Sequence, residues 1–562
     1  MDRRTFLKGV KEKKVVVIKG EKKAALSTRT NSGLLPYTGT WGKKEVVHLL
    51  RRTMFGAKPA DINYFLSKSL SNAVDELLNP SATLPAPPLK DYDTSGQVAT
   101  PDTDVAYGNT WINSVNNDGT IQTRRILSLK KWWIGTQLNQ DRSIKEKMTL
   151  FWHHYFATEL AEASHANFYY RHITLLRSSA LGNIKKLVYD VTIDPTMLIC
   201  LNGRLNTKTA PDENYARELQ ELFTLGKENN PNYSEQDVMA AARVLTGWEV
   251  NPFDATFPSF FNVNKHDTGN KQFSSFFNNT VIAGRSTVNA GTLEINDLVN
   301  MIFSKSNEVS RHIVKRLYRF FVYSEIDVAT ETNVIEPLAQ TLRNNNWEIK
   351  PVLSQLFKSE HFFDTLNQGA QIKAPLDLVV GLCREWNVQF PQQTDIAATY
   401  AMWNLIFSVG FLLQQNIGDP PSVAGWPAYY QIPQYYELWV NADTLPKRNQ
   451  FSDVMIATGY TQNNYKLMIN AVQYTQQLSN SSDPNALINE VAESILSFPL
   501  SDTVRTQLKK DFLLTGQDQD YYWTDAWQAY LSNPTTSNFN IVNIRLVGLY
   551  KYMMNLSEYQ LT

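Results

Sequence analysis

From Thr120 to about residue 409, apolar side chains recur every three or four residues, and within that span the rhythm lapses once, at residues 250–290. A chain patterned this way presents one apolar stripe per helix. Each stripe must be covered by another helix, because a period near 3.6 cannot place its side chains on one face of a sheet. The pattern therefore predicts an all-α fold: a large multi-helix, bundle-like body with an irregular or short-stranded insertion near 250–290. At least half of the residues should be helical and less than about a tenth in strands, well above the helix content of an average protein.

Punctuation divides the chain further. The first helical stretch is closed by Gly56, and residues 79–105, rich in Pro, Ser, Thr and Asp, read as a linker or a surface wrap. Thr120 to Leu160 reads as one long helix or two, broken near Asn139-Gln140-Asp141. Helices are predicted at about 165–181, 183–191, 212–225 and 234–247, and again from 291 to about 409. Residues 416–448 are Pro- and aromatic-rich, and the last hundred residues return to amphipathic helices. The resulting division is a basic tail at 1–35, a main helical domain at 36–410 that carries the insertion, a Pro/aromatic loop at 411–450, and a C-terminal helical portion at 451–562.

The 562 residues suffice for two to four domains. Lys plus Arg equals Asp plus Glu at 54 each, so nothing global favours a nucleic-acid partner. Cys200 and Cys383 sit in separate apolar runs without a CxxC, which favours free buried thiols over a disulfide framework. No apolar run approaches the roughly 20 residues of a membrane span, so no transmembrane segment is expected. Asp2-Arg3-Arg4-Thr5-Phe6-Leu7-Lys8 has a twin-arginine look, but only Val15 to Ile18 are continuously apolar thereafter. An export signal needs about 7–15 apolar residues. A mobile basic tail on a cytoplasmic protein is the favoured reading, with periplasmic export as the alternative.

"MTLFWHHYFATEL", residues 148–160, sets His153 beside His154 in an aromatic run, in a chain of eight histidines. Neighbours on a helix point about 100° apart, so the two cannot serve one metal from one helix. Ligand pairs recur at i, i+3 or i+4, and those positions are not filled here. Either a histidine packs at the core edge with its nitrogens satisfied, or one of them reaches a cleft and finds ligands on another helix. Glu159 lies on the Trp152 side and needs a partner, for which Arg171 or His172 is placed.

"PDENYARELQELFTLG" puts Asn214, Glu218 and Glu221 on one flank of a helix. Two carboxylates and an amide can bind a hard cation or divide into an acid and a base. They can equally form a ladder, since Glu213–Arg217 and Arg217–Glu221 are i, i+4 pairs worth about 0.2–0.5 kcal/mol each. Small residues in the next helix, Ala240-Ala241-Ala242, allow Arg243 to approach these carboxylates. His266-Asp267 lies in the insertion, where loop histidines are freer to act. P-loop, GxGxxG, GxSxG and HExxH patterns are absent, which removes the commonest nucleotide, hydrolase and zinc-protease readings.

The segments "HLLRRTMFGAKPADI", "FWHHYFATEL", "DPTMLICLNG", "ENYARELQELFTLG", "YSEQDVMAAARVLTGW", "HDTGNKQF" and "PPSVAGWP" follow one another in this order. Together they resemble the bacterial domain-of-unknown-function family 1800 over roughly residues 40–450. The residues matching that family's motifs are His154, Asn214, Arg217, Glu218, Glu221, Arg243, Trp248, His266, Asp267 and Trp426. The resemblance implies no particular reaction. It implies a partner, since the genes of this family neighbour those of family 1501, whose proteins are similar to alkaline phosphatases and sulfatases, and it implies that many members are exported.

Two functions follow. The first is a metal-assisted hydrolase with a site assembled between helices: His154, Glu218 and Glu221 as ligands to a divalent cation, and Glu218, Glu221, His266 and Asp267 as the catalytic set. A His154 nitrogen should then lie within about 8 Å of a Glu218 or Glu221 carboxylate. The second is a non-catalytic binding or assembly partner of the phosphatase/sulfatase-like protein. In "PPSVAGWPAYY", Trp426 is expected either to plug the helical body or to rim a cleft.

Overall fold

The computed structural model describes residues 29–562 except 95–97, 228–232 and 257. It is 55% helical and 5% strand, so the mostly helical expectation holds. Residues 1–28 of the expected basic tail lie outside the described residues. From Arg29 onward the chain is tied to the body: the Arg29 N–H donates to Asp327 Oδ2 at 2.8 Å, and Glu360 and His361 donate backbone N–H groups to Leu35 and Gly33.

The helices that position the candidate residues are labelled in chain order. They begin with α1 (Lys43–Thr53), α2 (Gly119–Leu138), α3 (Lys145–Tyr155), α4 (Ala166–Ser178), α5 (Pro195–Cys200), α6 (Asn214–Glu221) and α7 (Glu235–Val244). After a strand-bearing segment come α8 (Ala290–Phe303), α9 (Ser306–Phe321), α10 (Pro375–Glu385), α11 (Ile396–Leu412), α12 (Thr444–Ala457), α13 (Pro484–Ile495) and α14 (Thr536–Met554). Their starts are chemically specified. The Asp118 carboxylate accepts the Thr120 and Ile121 N–H groups at the head of α2, and Ser234 and Asp237 form a reciprocal cap on α7. In α1, Glu45 accepts the Gly42 N–H at 3.1 Å, while Arg51 and Arg52 sit in the last turn, where the helix dipole favours cations.

Residues 250–290 take the short-stranded form of the two expected. Two short antiparallel ribbons form there, β1 (Trp248–Val250) with β2 (Ser259–Phe261) and β3 (Lys271–Gln272) with β4 (Val281–Ile282). Pairs of two and three residues are too short to leave a period in the sequence. Helix α12 starts inside the Pro/aromatic segment because Asn441 Oδ1 accepts the N–H groups of Asp443 and Thr444 and caps it. The stretch from 291 to 409 is several helices, separated at 358–374 by turns.

Apolar side chains gather into two cores. One joins α1 and one face of α3 to α6–α9; the other joins α2, α4 and α10–α14. Helix α3 feeds both, with Phe151, Trp152 and Tyr155 entering the first and Leu150 the second. Tyr429 packs against both. No helix among the described residues is long and apolar enough to cross a membrane, and both cysteines are free.

Candidate functional site

Every residue of α3 is buried, which forces each histidine to find its partners inside the protein. His153 faces the second core, edge-on to Trp133 and Trp426 at 5.0 and 5.4 Å, with Nδ1 3.4 Å from the Tyr169 hydroxyl. His154 points to the loop after α11. Its Nδ1 accepts the Trp426 N–H at 3.1 Å, and its Nε2 lies 3.2 Å from Arg316 Nη2. The rings of Trp426 and Tyr429 cover it at 6.1 and 4.6 Å. Burial drives both histidines well below the usual pKa of 6.5, and neighbouring charge adds to the effect: His172 and Lys130 for His153, Arg316 and His153 for His154. Both rings are therefore neutral at physiological pH.

Gly425 makes this arrangement possible. Its φ is +88°, and a Cβ there would lie 2.0 Å from His154 Nδ1 and 2.5 Å from the His154 carbonyl oxygen. Trp426 is 1% exposed, so the loop is the plug of the two arrangements foreseen.

The carboxylate flank of α6 sits elsewhere. Arg217 pairs with Glu213 at 3.0 Å, Glu221 at 3.7 Å and Glu235 at 2.6 Å, and Lys227 also pairs with Glu221. Glu218 is half-buried, and burial raises its pKa, opposed by Lys227 and Arg217. Tyr155 is the α3 residue that reaches toward α6, donating its hydroxyl to the Phe223 carbonyl at 3.0 Å. His154, one residue earlier, contacts Arg316, Trp426 and Tyr429.

The 266–267 pair forms a third, separate cluster. His266 is fully buried, its Nδ1 2.9 Å from the Thr246 carbonyl and its Nε2 3.2 Å from Glu294 Oε1. Lys271 Nζ reaches Glu294 Oε2 at 2.5 Å. Arg243 grips Asp267 with two hydrogen bonds, at 2.7 and 3.1 Å. The expectation that Arg243 reaches the α6 carboxylates is thus corrected, because the ribbon segment brings Asp267 to it first. Glu159 gains neither foreseen partner: Arg171 donates to the Ala255 carbonyl, and His172 faces Asp194 at 3.0 Å.

His154, Glu221 and the His266-Asp267 pair thus bond different neighbours. Among the described residues, no group of three or more His, Cys, Asp or Glu side chains is arranged to hold a metal ion. Glu294 was missed in the sequence, although "AGTLEINDLV" places it between Leu293 and Ile295. Also missed was a charged seam between the two cores, where Arg52, Lys147 and Asp377 line a small cavity. The signal for Glu294 was a charged residue at a helix position whose neighbours are core.

A larger cleft of about 650 Å³ lies between α1 and α13. Its floor is apolar (Ala492, Leu496, Leu500), Phe498 stands 40% exposed at its edge, and Lys44, Glu45 and Glu493 are among its charged lining. Its size and mixed lining suit a ligand or a partner segment.

The family model described as a protein of unknown function, DUF1800, matches residues 48–561. No curated protein and no solved structure matches the chain.

Proposed function

The chain belongs to the DUF1800 family, and we propose that it is a non-catalytic binding or assembly protein, the second of the two readings. One observation carries this. Of the side chains that looked catalytic, four are held by their own neighbours, and Glu218 stands half-buried beside them. His154 is bonded through Nδ1 and faces a guanidinium at Nε2, Asp267 is gripped by Arg243, His266 is enclosed by Glu294 and Thr246, and Glu221 is neutralised by Arg217 and Lys227. A cation at His154 Nδ1 would have to displace the Trp426 N–H, and one at Nε2 would meet the Arg316 guanidinium.

The cleft between α1 and α13 is the concave surface offered to a partner, and the phosphatase/sulfatase-like protein of family 1501 is the partner that the resemblance implies. Co-expression followed by co-purification tests this. The complex should form with wild type and with Glu218→Gln, and should be lost with Phe498→Asp. A hydrolytic turnover by the purified chain that Glu218→Gln abolishes would reverse the choice.

A further inference from the structure

Another cavity, of about 510 Å³, opens where the C-terminal ends of α2 and α10 meet the loop before α11, and it shares no lining residue with the α1–α13 cleft. Five carboxamides line it, those of Asn139, Asn387, Gln389, Gln392 and Gln393; among the described residues no carboxylate does. Four of the five come from "NVQFPQQT", residues 387–394. The backbone of that loop is held without them. Val388 donates its N–H to the Cys383 carbonyl at 2.8 Å, and the Gln392 carbonyl accepts the Asp395 N–H at 2.8 Å and the Thr399 hydroxyl at 3.0 Å. Between these points the Tyr465 hydroxyl donates to the Gln389 carbonyl at 3.0 Å. Gln389 Nε2 donates to the Asn387 carbonyl and Asn139 Nδ2 to the Gly135 carbonyl, both at 2.8 Å, which leaves their amide oxygens as acceptors. The carboxamides of Asn387, Gln392 and Gln393 have no protein partner among the described residues.

The charge at this wall is positive. One carboxylate, Asp61, accepts from both Arg142 Nε at 2.9 Å and Arg384 Nη2 at 3.1 Å. Arg384, which lines the cavity, also donates to the Leu138 carbonyl, so its guanidinium is engaged. Lys58 lines the cavity too, and it has no carboxylate partner among the described residues. Its ammonium is the cation that a ligand can pair with. We propose that this cavity binds an acidic saccharide, a uronic acid ring with its carboxylate on Lys58, its hydroxyls on the carboxamides and its C–H face on the half-buried ring of Phe390. A carboxamide donates from nitrogen and accepts at oxygen, so a set of them matches neighbouring hydroxyls, each of which also does both. One ammonium matches one carboxylate, whereas a phosphate ester brings a charge of about −1.5 to −2. The volume lies within the roughly 300–1,000 Å³ of small-molecule sites, and a loop fixed through its backbone has little left to order on binding. This site is distinct from the α1–α13 cleft, so its failure and that of the assembly reading are separately observable.

The test uses the full chain, titrated at constant ionic strength with galacturonate and glucuronate, with galactose and glucose as their neutral counterparts, and with acetate for charge alone. Ligand-observed magnetic resonance follows the binding. At least one uronate should bind saturably near one equivalent. Its neutral counterpart should bind at least tenfold more weakly, and acetate should not saturate. Lys58→Met should weaken the uronate at least tenfold and leave the neutral sugar unchanged, which removes the preference. Gln392→Ala combined with Gln393→Ala should weaken the uronate at least tenfold as well. Gln392 and Gln393 are exposed and Lys58 is half-buried, so these variants should melt with wild type, and Lys186→Gln, on the exposed surface elsewhere, should change nothing. Failure of both uronates to saturate would overturn the proposal. So would equal affinity for a uronate and its neutral counterpart, or an undiminished uronate affinity in Lys58→Met.

Discussion

Replacing Gly425 by alanine asks directly whether the "AGW" turn locks His154 or merely passes over it. Two costs add. A residue other than glycine at φ +88° carries a backbone penalty of about 1–2 kcal/mol. The new Cβ would also sit 2.0 Å from His154 Nδ1 and 2.5 Å from the His154 carbonyl oxygen, neither of which can yield without moving α3. If the loop lifts to relieve this, the Trp426 N–H bond to Nδ1 is lost and two buried polar groups are left unpaired, at about 1–3 kcal/mol. Together these give about 2–5 kcal/mol. The protein supplies its own control: Gly516 has φ +86° and nothing within 4 Å of its would-be Cβ, so Gly516→Ala carries the backbone penalty alone. Denaturant midpoints, followed by tryptophan fluorescence, should fall clearly further for Gly425→Ala than for Gly516→Ala. Equal shifts would refute the lock.

Three further outcomes follow from the packing and the buried charges. Trp426→Ala should destabilise by about 3–5 kcal/mol as a core truncation, and an unchanged denaturation midpoint would show that the ring is not load-carrying in the core. Glu294→Gln should cost about 3–5 kcal/mol by leaving Lys271 unpaired in the interior. Burial alone would raise the Glu294 pKa, but His266 and Lys271 outweigh it and hold it below 4.5. Its contribution is therefore full above that pH and fades as pH falls, so wild type and variant should converge in acid. Burial lowers Lys373 from 10.5 to about 7, partly offset by Glu385 and reinforced by Arg51 and Arg448. The charged form is disfavoured in the folded state, so wild type should gain stability as pH rises from about 7 toward 10.5. Over that window, at about 1.4 kcal/mol per pH unit, the change is up to about 5 kcal/mol. Lys373→Met should remove this slope and melt higher than wild type at pH 6; an identical pH profile would contradict the depressed basicity.

The helical architecture was legible because amphipathic periods and caps act locally. The pattern "PDENYARELQELF" specifies its helix and its Arg217 ladder from neighbours three and four residues away, and both are found. The plug at Trp426 was legible as one of two outcomes, since a large apolar ring between prolines has few places to go. Partner choice over long range was not legible. Arg243 could be placed near acids but not assigned to Asp267, because that pairing depends on how the ribbons at 248–282 fold back on α7. His154 and Trp426 are 272 positions apart, and their hydrogen bond leaves no local trace in either segment. The charged seam escaped notice for a related reason: Arg52, Lys147 and Asp377 each look like a surface charge until two cores close around them.

The central claim is the proposal that His154, Glu221, His266 and Asp267 are occupied by partners of their own and do not assemble one cation site with Glu218. Calorimetric titration of the chelator-treated chain with Zn²⁺ and Mn²⁺ tests it most directly, run in parallel on wild type, Glu218→Gln and His154→Gln. The account predicts no saturable binding near one equivalent in wild type and the same trace for both variants. One equivalent bound by wild type, and lost in both variants, would contradict it.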